Sequence, residues 1–569
     1  MAECLRRSRI AAEKRWPQKE KSAHNGYETR PRSLKGRESN DRNPETGAAG
    51  KKNEKTSDAL DTGGAHAVTI GEVPSLERFQ VHPNGKSRIR DEQMPNPLSR
   101  RELLQWLIAL PAGISGARAA GCLGDEIRPG GISRVTRGPA DLVVPRDGDG
   151  FRYGTGYLFQ ASPTQAGVLS NLRTEGFPVG DFEAGVDAIL FDDPAKISAA
   201  EPVPLTRTVK YADRVSGAWR IVIKHGCKGG FVPLGARRAD GKPHPHAGTG
   251  FTFCEALDFP MKGNGYYDKR DKGRGGMLRT TEVQQLKFDG QRFEVLRVDT
   301  YTDAKPLQVP GSPWKITCPA LRMGIPAGDD LLFAVTCTSG DAGAWFSDPH
   351  VVGVSRWRRV EGQWRPVEFH PVVTSRPAAK PRVVHGRKMS VQPMEPTLIR
   401  DTGGSLLFTA RLAYETFDEH ALRVWRSDDD GRQWTKVIER PDTKGQAPVS
   451  IARATDGTPY LVSNPFGRER DRLVLWPLNA ARTGVEEPIL ARDALEQFGP
   501  PPGGPVWFMD HANAGVVRLA DGRWHNLLVY RIMDRGEHSG KAPPPQSGLY
   551  VEEVFSTGPE VGPWRFADG

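Results

Sequence analysis

The chain has 569 residues, room for one large domain or several small ones, and 79 Lys and Arg against 69 Asp and Glu give a net charge of +10. The first ninety or so residues are rich in Lys, Arg, Glu, Asn, Gly and Ser and almost lack apolar runs. No aromatic–basic module or zinc spacing accompanies them, which argues against a nucleic-acid-binding domain.

Residues 1–93 have the composition of a disordered basic extension. Residues 94–122 then run from Ser99-Arg100-Arg101 through the short apolar stretch Trp106-Leu107-Ile108-Ala109-Leu110 to Ala117-Arg118-Ala119. A basic start, a short apolar run and Ala-x-Ala are the parts of a secretory signal, too short to span a membrane as a mature helix; an internal amphipathic helix is the alternative. Ser99-Arg100-Arg101 followed by Leu103-Leu104 resembles a twin-arginine signal, which implies export of an already folded protein. Such signals stand near a true N-terminus, so translation is expected to start at Met94, with 1–93 an upstream extension. The expected location is periplasmic or extracellular. Ala120-Gly121-Cys122 faintly resembles a lipoprotein site, with Ala119 where Leu is usual, and a lipid anchor at Cys122 stays open. Residues 123–149 read as a linker.

Four cysteines follow, Cys227, Cys254, Cys318 and Cys337, with no metal-ligand spacing, so no metal site is expected. Cys318 and Cys337 flank one predicted hairpin; a disulfide and two buried thiols are both compatible with that position.

From about residue 150 the pattern is short strands separated by Gly and Pro, with no long helical period. Two hairpin types alternate. One joins nearly continuous apolar strands around Gly328-Asp329, Gly403-Gly404, Asp456-Gly457 and Asp521-Gly522. The other is amphipathic and aromatic, around Asp289-Gly290, Glu361-Gly362 and Ser427 to Trp434. A continuous apolar strand is buried on both faces and an alternating one on a single face. An inner buried hairpin followed by an outer half-exposed one makes a four-stranded blade, so residues 150–569 predict an all-β fold, a β-propeller with five to six antiparallel blades. A pair of β-sandwiches is the rival.

Ser427-Asp428-Asp429-Asp430-Gly431-Arg432-Gln433-Trp434 resembles the Asp-box of sialidases and other propellers, a motif that stabilises a turn away from the chemistry. Met394-Glu395-Pro396-Thr397-Leu398 with Ala410-Arg411 is similar to the sialidase segment whose Glu partners the nucleophile and whose Arg belongs to a carboxylate clamp. Ser463-Asn464-Pro465 followed by Arg470 and Leu473 resembles the run that supplies another clamp member, with Arg468 and Arg472 as alternatives. Arginine suits the task because its planar fork donates two parallel hydrogen bonds and stays charged. The resemblance then departs: Gly324 precedes Ile325-Pro326 where sialidases show Arg-Ile-Pro. Phe508-Met509-Asp510-His511-Ala512-Asn513 stands where a late Tyr nucleophile is usual, and Tyr550 lies further downstream.

Asp510-His511 leads into an inner strand, where the pair can serve as acid/base or simply close a loop. His244 and His246 lie at another loop-to-strand junction and, two apart on extended chain, point the same way. The resulting expectation is a sialidase-like glycoside hydrolase acting on an acidic or polar glycan. Glu395, Asp510 and His511 are the catalytic candidates and Arg411, Arg470 and His246 the substrate contacts. No cofactor, no nucleic acid and no membrane span are expected. The alternative is a non-catalytic propeller that binds glycan or protein at the cell surface, since fold alone does not fix function. A second carboxylate facing Glu395 would favour the enzyme.

Overall fold

The computed structural model describes strands at 132–135 and 141–143 and most of residues 151–562, all within the unit Leu123–Gly569. The stretches 175–184, 261–277, 340–348, 442–446, 466–469, 502–505 and 535–545, with a few shorter ones, fall outside that description. So do residues 1–131, and with them the expected extension, the signal and Cys122.

Six antiparallel sheets follow one another along the chain. Blade I is Phe151–Ser162, Gln165–Thr174, Gly185–Phe191 and Pro202–Arg207. Blade II is Trp219–Val232, Thr249–Pro260, Leu278–Phe288 and Phe293–Tyr301, with Val209–Ala212 added beside its first strand. Blade III has a first strand in two pieces, Lys315–Pro319 and Ile325–Ala327, then Asp330–Thr338, His350–Val360 and Gln363–Thr374. Blade IV is Gln392–Arg400, Leu406–Ala413, Ala421–Ser427 and Thr435–Pro441. Blade V is Ser450–Arg453, Pro459–Ser463, Arg472–Pro477 and Ile489–Asp493. Blade VI is Trp507–Arg518, Trp524–Asp534 and Gly548–Ser556.

First strands of successive blades touch one another around the ring, and blade VI returns to blade I, so the molecule is a six-bladed β-propeller. Blade VI is completed by Ile132–Val135 and Asp141–Val143, both antiparallel to Gly548–Ser556. Part of the segment expected as a linker therefore supplies the outer edge of the last blade. Its strands, four and three residues long, are too short to show a period in the sequence.

All seven expected hairpins form at the turns named above, and burial separates the two types. Asp330–Thr338 is buried throughout, whereas Phe293–Tyr301 is largely exposed. The core lies between blades: Phe251 of blade II stacks on Trp357 of blade III with ring centroids 3.9 Å apart, against Phe333. Polar ties join neighbours as well. Gln285 of blade II exchanges two hydrogen bonds with the Trp364 backbone of blade III, and Thr397 Oγ1 of blade IV accepts from Ile451 N of blade V at 2.9 Å.

Arg322, between the two pieces of blade III's first strand, crosses the centre and donates to the Ile451 carbonyl of blade V at 2.9 Å. A Cβ on Gly515 of blade VI would stand 3.1 Å from its Nη2, so glycine makes room for that crossing. Burial lowers the Arg322 guanidinium to about 10. Cys337 pairs across the sheet with Ile316 rather than Cys318, and is a buried free thiol whose pKa burial raises.

Because each blade is an antiparallel meander, its faces are fixed by connectivity. The start of the first strand and the loop between strands two and three share one face, here the front. The two tight hairpins share the back. The Ser427–Trp434 turn is a back-face hairpin. Asp429 Oδ1 accepts from Ser427 Oγ and from the backbone N–H groups of Arg432 and Gln433, and the Trp434 indole donates to the Gly431 carbonyl. Asp430 faces away from this turn and takes Arg356 of blade III and Arg400 of blade IV at 2.7 and 2.6 Å.

Candidate functional site

Glu395 lies four residues into blade IV's first strand, on the front side, where the pairing slips between Met394 and Thr397. His511 lies at the matching place in blade VI, where the pairing slips between Asp510 and Asn513. Each bulge turns its residue to φ +52°, a left-handed conformation that a side chain with a Cβ rarely adopts. The surrounding sheet therefore holds both residues in strained backbone, and the bulges aim their side chains at one another: Glu395 Oε1 is 3.5 Å from His511 Nε2.

An arginine on the adjacent strand supports each. Arg411, whose strand neighbour is Met394, donates to Glu395 Oε2 at 3.0 Å. Arg531, opposite Asp510, lies 3.2 Å from His511 Nδ1. Arginine only donates, so Nδ1 accepts and the ring proton of His511 sits on Nε2, facing Glu395. Burial works against ionisation of Glu395, but the Arg411 charge and then the His511 hydrogen bond hold its carboxyl well below the usual carboxylate range. The Glu395 and Arg411 side chains keep 17% and 20% of their surface exposed, so a ligand can reach them from the front.

Tyr414 completes the cluster. It follows the strand that carries Arg411, at φ +66°, and burial raises its phenol pKa against the pull of Arg411 and Arg382. Of the six non-glycine residues with positive φ among the described residues, Glu395, Tyr414 and His511 lie here, and Glu361, Asp430 and Arg482 sit in hairpin turns.

Of the six residues expected in the site, the structure brings together Glu395, Arg411 and His511. The Asp510 backbone stands beside them in its strand, and its side chain lies outside the described residues. Arg470 is on the front rim: its carbonyl accepts from Met509 N at 2.6 Å and its guanidinium lies 5.4 Å over the Phe508 ring. Of the alternatives, Arg472 is paired with Asp493 at 2.8 Å and Arg468 is outside the described residues.

His246 is elsewhere. The loop that carries it joins the first and second strands of blade II and is therefore on the back face, where His246 packs edge-on against Trp364 with ring centroids 5.5 Å apart. His244 beside it contacts the Gly328 carbonyl at 2.9 Å. The expected substrate contact at His246 is corrected to a packing position, because a loop leading into a second strand opens on the opposite face from one leading into a first strand. Tyr550 is buried in blade VI's third strand, its ring stacked on Tyr530 and its hydroxyl donating to Gln546 O at 2.6 Å.

Sequence reasoning missed Arg531 and Tyr414. Arg531 stands to His511 as Arg411 stands to Glu395, one hairpin register away, and the parallel between the two blades is the signal that points to it. No group of three or more His, Cys, Asp or Glu arranged to hold a metal occurs among the described residues.

The fold and this cluster define a six-bladed propeller with an ion-paired, strained polar mouth on its front face. No protein-family model and no curated protein matches the chain. Similar solved structures include the sialidase of Trypanosoma rangeli, at 10% identity over 71% of this chain with a TM-score of 0.38; the match spans about half, 54%, of that protein. The NanB sialidase of Streptococcus pneumoniae is 11% identical over 73% of this chain and 71% of its own, with a TM-score of 0.42. A protein of unknown function from Dyadobacter fermentans is 12% identical over 74% and 98%, with a TM-score of 0.42. The propeller assignment rests on the strand pairing described above.

Proposed function

We propose that this chain is an exported glycoside hydrolase acting on an acidic glycan at the front mouth. The observation that carries the reading is the Glu395–Arg411–His511 cluster, held in strained backbone on two different blades and open to the front. Glycoside cleavage passes through a transition state with positive charge developing at the anomeric carbon. A carboxylate that stays ionised and is fixed in place opposes that charge without reorganising. Glu395 fills that role, and Arg411 meets an anionic substituent of the sugar, with Arg470 at the rim. With both ring nitrogens engaged, His511 positions Glu395 instead of moving a proton itself. Asp510 is the proposed proton donor to the leaving group. The Arg100-Arg101 signal-like segment supports action outside the cytoplasm, which fractionation of the native host would test.

A second reading, a non-catalytic glycan-binding propeller, is favoured by one observation: the carboxylate of Glu395 is already held by Arg411 and His511 within the mouth, as a fixed binding contact would be. Sialosides, uronides and neutral glycosides assayed on wild type and Glu395→Gln separate the two. Turnover of an acidic glycoside that Glu395→Gln abolishes supports the hydrolase. Turnover that survives the substitution undiminished places the chemistry elsewhere. Binding of an acidic glycan without turnover supports the second reading.

A further inference from the structure

The chain between blades III and IV, residues 375–391, contains Arg376, Lys380, Arg382, Arg387 and Lys388 and no acidic residue. It leaves the end of Gln363–Thr374 and returns to the start of Gln392–Arg400, both on the front face. Its stems are pinned to each other, Arg376 N donating to Val391 O at 3.1 Å and Val391 N to Arg376 O at 2.8 Å. Val391 precedes Glu395 by four residues, about 13 Å of extended chain.

Two further contacts fix this strap beside the mouth. Ala378 packs with Val391 and Leu412, the neighbour of Arg411. Arg376 pairs with Glu415 and Glu419, at 3.1 and 2.8 Å, in the loop that begins at Tyr414. These carboxylates neutralise Arg376 and make it an anchor; Glu419 is held down to about 2, its pairing with Arg376 and bonds to Thr416 overriding the effect of burial.

Arg382 and Lys388 differ from it. Both are exposed, and neither forms an ion pair with a described residue, whereas Arg356, Arg376, Arg400, Arg411 and Arg423 all do. Lys388 also lines a cleft of about 420 Å³, together with Arg376, Ser375, Ser390 and Pro381. A ligand lying in this cleft and running to the mouth meets the exposed cations Arg382 and Lys388 at one end and Arg411, with its partner Glu395, at the other.

We propose that the strap is a second anion subsite and that the ligand is an extended polyanionic glycan, carrying a charge at the mouth and further charges over Arg382 and Lys388. The inference rests on the reading of the mouth as an acidic-glycan site. It deepens that reading by making the substrate a chain of charged sugars instead of a single terminal one.

The test is calorimetric titration of the full chain with galacturonic acid, a long oligogalacturonide and a neutral maltooligosaccharide of equal length. Wild type is compared with Arg382→Ala/Lys388→Ala and with Arg411→Lys. The strap variant is expected to lose about tenfold in affinity for the long uronide and nothing for the monomer, with an unchanged melting temperature. The loss should shrink between about 50 and about 200 mM salt, because exposed charges are screened. Equal affinity of the strap variant for the long uronide, or equal binding of the neutral oligomer by wild type, overturns the proposal. Tighter binding of a single-stranded DNA of matched charge also overturns it, since the strap would then serve another polyanion. If Arg411→Lys binds the monomer as wild type does while the strap variant still loses the long uronide, the mouth reading fails and the strap stands.

Discussion

At the residue scale, the site is an electrostatic arrangement with a defined pH signature. Glu395 has a folded pKa below its unfolded value of about 4.3, so the stability it contributes is present above that pH and is lost as pH falls through the folded value. Wild type should therefore exceed Glu395→Gln in pH-dependent stability most at neutral pH, and the difference should begin to shrink below about pH 4 and go on shrinking towards the folded value in acid-unfolding curves. A constant difference down to the acid limit would show that Arg411 and His511 do not favour the charged form. Arg411→Lys keeps the charge and removes the planar fork, so it should weaken an anionic sugar by about tenfold while moving the melting temperature little, read by titration and thermal melt together. Glu395 and Arg411 were legible because they flank one hairpin. Arg531 was not, because finding it requires the register of a second hairpin, and Asp510–Asn513 hides that register behind a bulge.

At the element scale, hairpin type carried most of the fold. Buried strands such as Asp330–Thr338 read as unbroken apolar runs, and outer strands such as Phe293–Tyr301 as alternation, so the blade order could be read directly. The Ser427–Trp434 turn was equally legible, since Ser427, Asp429 and Trp434, the groups that close it, bond within the turn itself. Side of the propeller was harder. His246 lies just before a second strand and Asp510 near the start of a first, and only strand order tells their faces apart. The Ser427–Trp434 turn offers a test of the face assignment. Trp434 is half-buried against Phe408, ring centroids 5.5 Å apart, so Trp434→Ala should cost about 2 kcal/mol, less than a fully buried aromatic truncation. Ligand affinity of the folded protein should not change. A variant of normal stability that binds glycan poorly would move this hairpin to the front.

At the scale of the whole molecule, the last blade of the ring is completed by strands from before the first. The edge of Gly548–Ser556 that would otherwise be open is covered by Ile132–Val135 and Asp141–Val143, drawn from the other end of the propeller sequence. An uncovered strand presents unpaired N–H and C=O groups and invites pairing with other chains. Asp141–Val143 also touches the helical turn Pro194–Ala199 between the last two strands of blade I, which ties blade VI, the carrier of His511, to its neighbour in the ring. If closure completes blade VI and holds it against blade I, then a chain beginning at residue 146 should melt several degrees below one beginning at residue 125 and elute partly as aggregate. It should also lose glycan affinity, because His511 and Arg531 shift relative to Glu395. A peptide spanning residues 129–146, added in excess, should restore both properties by adding the missing strands, and a scrambled peptide should not. Equal melting temperatures for the two chains would mean that blade VI is held by its contacts with blades V and I alone, through ties such as Tyr460 to Asn526 and Leu158 to Asn513.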